Sequence, residues 1–106
     1  MRLPLTIVLH AALAASALAQ EPGDGANGRA YAEQHCAMCH GIDPADLMSP
    51  QPGLATFKTI ANTPGMTGTA IAVWLRTPHD KMPNLIIATE DRNNLIAYIL
   101  SLRDSR

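Results

Sequence analysis

One stretch of this 106-residue chain joins residue types and spacing that point to a specific chemistry: Cys36-Ala37-Met38-Cys39-His40. Two thiols three positions apart can each add to a vinyl group on one edge of a porphyrin. The next residue, His40, then lies under the ring, where its imidazole reaches iron. C-x-x-C-H is the attachment pattern of c-type haem. Three rival chemistries use the same residues. A Cys pair can close a plain disulfide in an oxidising compartment. It can also be redox-active, but that reading expects a βαβ pattern, and none is visible here. Zinc takes four ligands; Cys36, Cys39 and His40 supply three, with His35 or His79 as the available fourth.

A six-coordinate haem needs a second axial group, and a thioether there raises the potential. After the first twenty residues the methionines are Met38, Met48, Met66 and Met82. Met38 lies inside the attachment loop and cannot reach over the ring. Met48 is close in sequence to the His40 side. Met66 sits in a Pro-Gly turn and fits ordinary core, where most methionines belong. Met82 lies between Lys81 and Pro83 in a loop joining two helices, and Pro83 stiffens that loop. Met82 is therefore the expected ligand. His79 is its rival and would give a bis-imidazole haem.

These side chains need elements to hold them. Asp24 or Asn27 can cap a helix that runs through Arg29–His35 into Cys36 and stops at Gly41. Residues 41 to 55 carry Pro44, Pro50, Pro52 and Gly53 and read as loop. Thr56 to Ala61 predicts one or two helical turns. Thr67 or Thr69 can cap a helix carrying Ile71, Val73, Trp74 and Leu75, closed by Pro78. Thr89 opens the last helix, with Glu90 and Asp91 in its first turn and Arg103 near its end, as the macrodipole prefers. Leu95, Ile96, Ile99 and Leu100, with Leu102, form its apolar stripe. No segment alternates like a strand. The expected class is all-α.

The start of the chain is different in kind. Met1-Arg2 is a short positive region, Leu3–Leu13 an apolar run, and Ala17-Leu18-Ala19 a small-x-small cleavage site. This is the pattern of a secretory signal. A retained membrane anchor is the rival, near the lower length limit for a spanning helix. Residues 1–19 are thus expected to be a cleaved signal and residues 20–106 the mature domain. Removing 19 of 106 residues leaves 87, and only Arg2 is lost among the charges, so the net charge moves from -1 to -2. That balance offers no broad basic field for nucleic acid. The 47% hydrophobic content rules out a disordered chain. A domain this short leans on a staple, which a covalent prosthetic group supplies.

Taken in order, the C-A-M-C-H site, the K-M-P-N segment at Lys81 to Asn84 and the closing L-I-A-Y-I-L-S-L at Leu95 to Leu102 resemble the class I monohaem cytochromes c, especially small bacterial periplasmic members. The resemblance implies three to five short helices wrapped around one haem c, with the first and last helices crossing. It places Gly28, eight residues before Cys36, against an aromatic on the last helix, which Tyr98 matches. It implies that a proline carbonyl about a dozen residues beyond His40 accepts the imidazole N–H; Pro52 has that spacing and Pro50 is the alternative. Trp74 resembles the family's buried aromatic near the haem, among Leu54, Phe57, Ile71, Leu75 and Leu95.

The function so implied is electron transfer, not enzyme catalysis. The donor would be a periplasmic dehydrogenase and the acceptor a cytochrome or terminal oxidase, with membrane contact only through docking. Two alternatives go with it: a permanent haem subunit of a heteromeric dehydrogenase, or a ligand-binding or peroxidase protein with a labile distal site. The chain has only two lysines, Lys58 and Lys81. A lysine ring like that of mitochondrial-type cytochromes is not available, so apolar and polar contacts are expected to hold the docking face.

Overall fold

A computed structural model describes residues 22–77, 79 and 81–105. The expected signal at 1–19, and Pro78 as a helix stop, lie outside the described residues. Four helices follow in order: α1 (Gly25–His35), α2 (Phe57–Ala61), α3 (Gly68–Arg76) and α4 (Thr89–Ser101). Among the described residues there is no strand, and the all-α class holds.

The first three helices start where side chains can satisfy free backbone N–H groups. Asp24, and not Asn27, caps α1: its carboxylate accepts from the Asn27 N–H at 3.0 Å. Thr56 caps α2 by accepting from Thr59 N–H, and Thr67 caps α3 by accepting from Ala70 N–H, both at 3.1 Å. Helix α4 has no side-chain cap. Thr89 is its first residue, and Glu90 and Asp91 in the first turn are its favourable charges.

The principal packing is α1 against α4. Along α1 and its C-cap, Gly28, Ala32 and Cys36 recur every fourth residue, and all three are buried. This stripe is of small residues, so the helix backbones approach closely. Opposite it, α4 buries Leu95, Ile96, Tyr98 and Ile99, with Leu102 just beyond its end. Leu95 is fully buried. Phe57 and Ala61 from α2 and Ile71 from α3 close the core from the other side.

Arg103 departs from the sequence expectation. Helix α4 ends at Ser101, so Arg103 lies past the last turn. Its Nε donates to the Ala61 carbonyl at 3.2 Å and its Nη2 to the Met66 carbonyl. It ties the chain end to the α2–α3 connection and does not serve the α4 dipole.

Candidate haem-attachment site

The attachment motif sits where α1 ends. Cys36 is the C-cap residue, and its N–H donates to the Ala32 carbonyl at 2.8 Å. The chain then closes a tight turn: the N–H groups of Cys39 and His40 donate to the Cys36 carbonyl at 3.1 and 2.9 Å. This turn gathers two sulfurs and an imidazole on one short arc. Cys36 is buried, Cys39 and His40 are half-buried, and Met38 points out at 89% exposure. The exposure of Met38 agrees with its exclusion as an axial ligand.

Both cysteines are free. Burial, followed by the charge of Cys39, pushes the Cys36 thiol up to about 11. It is a protonated, weakly nucleophilic group in its folded environment. Among the described residues no group of three or more His, Cys, Asp or Glu is arranged to hold a metal ion. The zinc reading therefore has no support in the geometry.

The imidazole of His40 is fixed by its partner. Its Nδ1 lies 2.8 Å from the Ala55 carbonyl oxygen. A carbonyl only accepts, so Nδ1 carries the proton. The neutral ring then presents its lone pair at Nε2, the atom a metal would take. The ring also packs against Phe57, with centroids 5.7 Å apart.

This corrects the expectation for Pro52. Neither Pro52 nor Pro50 faces His40 with its carbonyl; Ala55 does. The reason is local. Leu54 N–H donates to the Gln51 carbonyl at 3.3 Å, with Pro52 second in that turn and Gly53 third at φ 83°. A proline with φ near -65° followed by a residue at positive φ makes a type II turn. The turn reverses the chain. The extended run leading to the Thr56 cap then brings the Ala55 carbonyl to the ring. No side-chain signal marks Ala55, because the functional atom belongs to the backbone.

The segment is braced further. Phe57 N–H donates to the Gly41 carbonyl at 2.8 Å, and Gly41 N–H donates to Ser49 Oγ at 3.1 Å. A Cβ at Gly41 would come within 2.8 Å of the Met48 carbonyl, so glycine is needed for this close return of the loop.

The remaining candidate residues come from α3 and the α3–α4 connection. Met82 is half-buried, and its N–H donates to the His79 carbonyl at 3.2 Å, so the two candidate axial residues share one turn. His79 Nδ1 lies 2.8 Å from the Thr77 carbonyl, and its ring meets Trp74 edge-on at 4.9 Å. His79 thus holds the same tautomer as His40. Trp74, on α3, is 55% exposed, where an apolar ligand could cover it. Phe57, Ile71 and Leu95 are buried as expected, whereas Leu54 and Leu75 are only half-buried.

These residues fit a c-type haem. The turn offers two free thiols for vinyl addition and one nitrogen lone pair for iron. Val73 and Trp74 on α3, with Ile86 in the following connection, keep large apolar side chains exposed. Exposed apolar side chains of this kind suit an apolar macrocycle.

The described helices, the thiol–thiol–imidazole turn and a family model for cytochrome c matching residues 25–103 agree, and the chain belongs to the cytochrome c family of haem-based electron-transfer proteins. A similar curated protein is a cytochrome c-552 from Bradyrhizobium diazoefficiens, 31% identical over 97 residues, which cover 92% of this chain and 89% of that relative. No solved structure matches the chain.

Proposed function

We propose that this protein is an exported single-electron carrier with one haem c attached through Cys36 and Cys39 and ligated by His40 and Met82. It would take electrons from a periplasmic dehydrogenase and pass them to a cytochrome or terminal oxidase. The observation that carries this reading is the His40–Ala55 hydrogen bond, which commits Nδ1 and frees Nε2 within the turn that holds both thiols. When bound, the haem supplies one-electron ferric–ferrous chemistry. The chain's own work is to hold and tune. The Ala55 carbonyl orients the imidazole and raises its donor strength. The Met82 thioether favours the reduced state. Phe57, Ile71 and Leu95 supply buried apolar surroundings that favour the less charged ferrous form.

With His40 and Met82 holding the iron, no coordination site would remain for substrate. That makes a carrier the better reading than an enzyme. Export rests on the signal pattern at 1–19, with cleavage after Ala19. No helix among the described residues is long and apolar enough to cross a membrane. Membrane contact would come through docking to membrane-bound partners. Of the two lysines, Lys58 pairs with Asp104 at 3.5 Å. Docking would then rely on apolar and polar contacts more than on a cationic ring.

The mass and visible spectrum of the secreted protein test this reading together. The expected result is a chain beginning at Gln20, heavier by one haem, with a low-spin haem spectrum. The Cys36→Ser/Cys39→Ser double variant should carry no covalent pigment on a denaturing gel. A colourless wild-type protein with the mass of its amino acids alone overturns the proposal.

A further inference from the structure

Two residues past His40, both terminal helices grip the chain at once. From α4, Tyr98 Oη donates to the Ile42 carbonyl at 2.6 Å, a buried bond that spans 56 positions of sequence. From α1, Arg29 Nη2 donates to Asp43 Oδ2 at 2.9 Å. Ile42 follows Gly41, whose carbonyl receives Phe57 N–H at 2.8 Å. Phe57 follows Ala55 by two residues, and Ala55 receives the His40 Nδ1 proton at 2.8 Å. The path therefore closes on itself, from the Tyr98 phenol through Ile42, Gly41, Phe57 and Ala55 to the His40 ring. A second route runs through the rings: Phe57 lies 5.7 Å from His40 and 6.4 Å from Tyr98, centroid to centroid.

We infer that Tyr98 is a positioning residue for the haem-ligating imidazole, its hydroxyl holding the 41–57 segment so that the Ala55 carbonyl stays on His40 Nδ1. This rests on the proposed role of His40 as axial ligand. The physical steps are few. Ile42 is only 7% exposed, so its carbonyl has little access to water if the phenol is removed. A buried acceptor without its donor drives local rearrangement. The segment that shifts is bonded, through Gly41 and Phe57, to the carbonyl that fixes the ring. A longer Ala55–His40 bond leaves the imidazole a poorer donor. A poorer donor stabilises ferric iron less, so the potential rises.

The test uses the holoprotein and Tyr98→Phe, which keeps the ring against Phe57 and removes only the hydroxyl. Two readouts report on His40. One is exchange of its ring Nδ1 proton with solvent, followed by NMR. The other is the midpoint potential. Exchange should become about tenfold faster, as loss of one restraining hydrogen bond implies, and the potential should rise. Ile99→Val, a small deletion in the core on the same helix, should lower Tm without moving either readout. If Tyr98→Phe does not fold, 3-fluorotyrosine at Tyr98 in a Tyr31→Phe background strengthens the donor and should move both readouts the other way. A Tyr98→Phe protein with wild-type exchange and wild-type potential overturns the inference while leaving the haem reading intact. Absence of paramagnetically shifted His40 ring protons in the ferric wild type sinks both.

Discussion

Gly28 on α1 lies so close to the backbone of Asn94 on α4 that a Cβ added there would sit 2.5 Å from the Asn94 carbonyl carbon and 2.9 Å from Tyr98 Cβ. The obstacle is mostly backbone and cannot rotate away. Asn94 is itself fixed, because its Oδ1 accepts the Asp24 N–H at 2.8 Å and so ties the start of α1 to α4. Gly28→Ala must therefore push the two helices apart at the centre of the core. The expected cost is about 3 kcal/mol, the upper part of the range for overpacking, measured by urea unfolding of the holoprotein. Gly25→Ala is the matched control. Its Cβ would meet nothing closer than Tyr98 Cα at 3.9 Å, and reduced freedom of the unfolded chain should stabilise by about 0.5 kcal/mol. Equal effects of the two substitutions would show that the close approach does not limit stability.

What the sequence made legible here is side-chain chemistry that repeats a simple spacing. The caps at Asp24 and Thr67, the α4 stripe at Leu95, Ile99 and Leu102, and the two thiols beside an imidazole all follow from residue type and interval. The Gly28–Tyr98 juxtaposition was legible as well, but through family resemblance. What stayed hidden was backbone acting at a distance. Ala55 carries no side-chain signal, and its role depends on the Gln51–Leu54 turn that precedes it. Pro52 has the expected spacing yet serves to build that turn. Arg103 looked like a helix-terminal charge, but α4 stops two residues earlier and frees it to reach carbonyls of another connection.

The Arg29–Asp43 pair gives stability a defined pH dependence. The N–H of Ala45, followed by the Arg29 guanidinium, holds the Asp43 carboxyl below its ordinary value of 3.8. A carboxylate with a depressed pKa in the folded state stabilises fully above the unfolded value and loses that contribution as pH falls through the folded one. Asp43→Asn should therefore lower Tm at neutral pH. The gap between variant and wild type should persist down to 3.8 and close only below it. Thermal unfolding across an acid series measures this. A gap that does not narrow in acid would mean that the charge of Asp43 contributes nothing.

Asn62 joins the ends of two helices with one side chain. Its Nδ2 donates to the Lys58 carbonyl at 2.8 Å and to the Leu102 carbonyl at 3.2 Å, and its Oδ1 accepts the Asp104 N–H at 2.9 Å. The Leu102 carbonyl belongs to a buried residue, 8% exposed. The Lys58 carbonyl also accepts the Asn62 backbone N–H at 3.1 Å and keeps that partner, so Asn62→Ala strips the side-chain bonds from the Leu102 carbonyl and the Asp104 N–H and should cost about 2 kcal/mol. Hydrogen exchange at the Asp104 amide should lose its protection. Asn62→Asp keeps the acceptor and should restore protection at Asp104 while leaving most of the stability loss. Unchanged exchange at Asp104 in the alanine variant would contradict this account.

Met82 and His79 compete for one role, and their shared turn makes the competition testable. The Met82 N–H donates to the His79 carbonyl, so the two side chains leave adjacent points of the same loop. A thioether ligand gives a weak charge-transfer band at the red end of the ferric spectrum and a higher potential than a second imidazole. Met82→Ala should keep the pigment covalently attached, because Cys36 and Cys39 are untouched. It should abolish that band and lower the potential, with His79, solvent or an added imidazole completing the coordination. His79→Ala should keep both the band and the potential near wild type, since it removes only an edge contact to Trp74 and a hydrogen bond to the Thr77 carbonyl. The reverse pattern, with the spectrum changed by His79→Ala and unmoved by Met82→Ala, would assign the distal position to histidine.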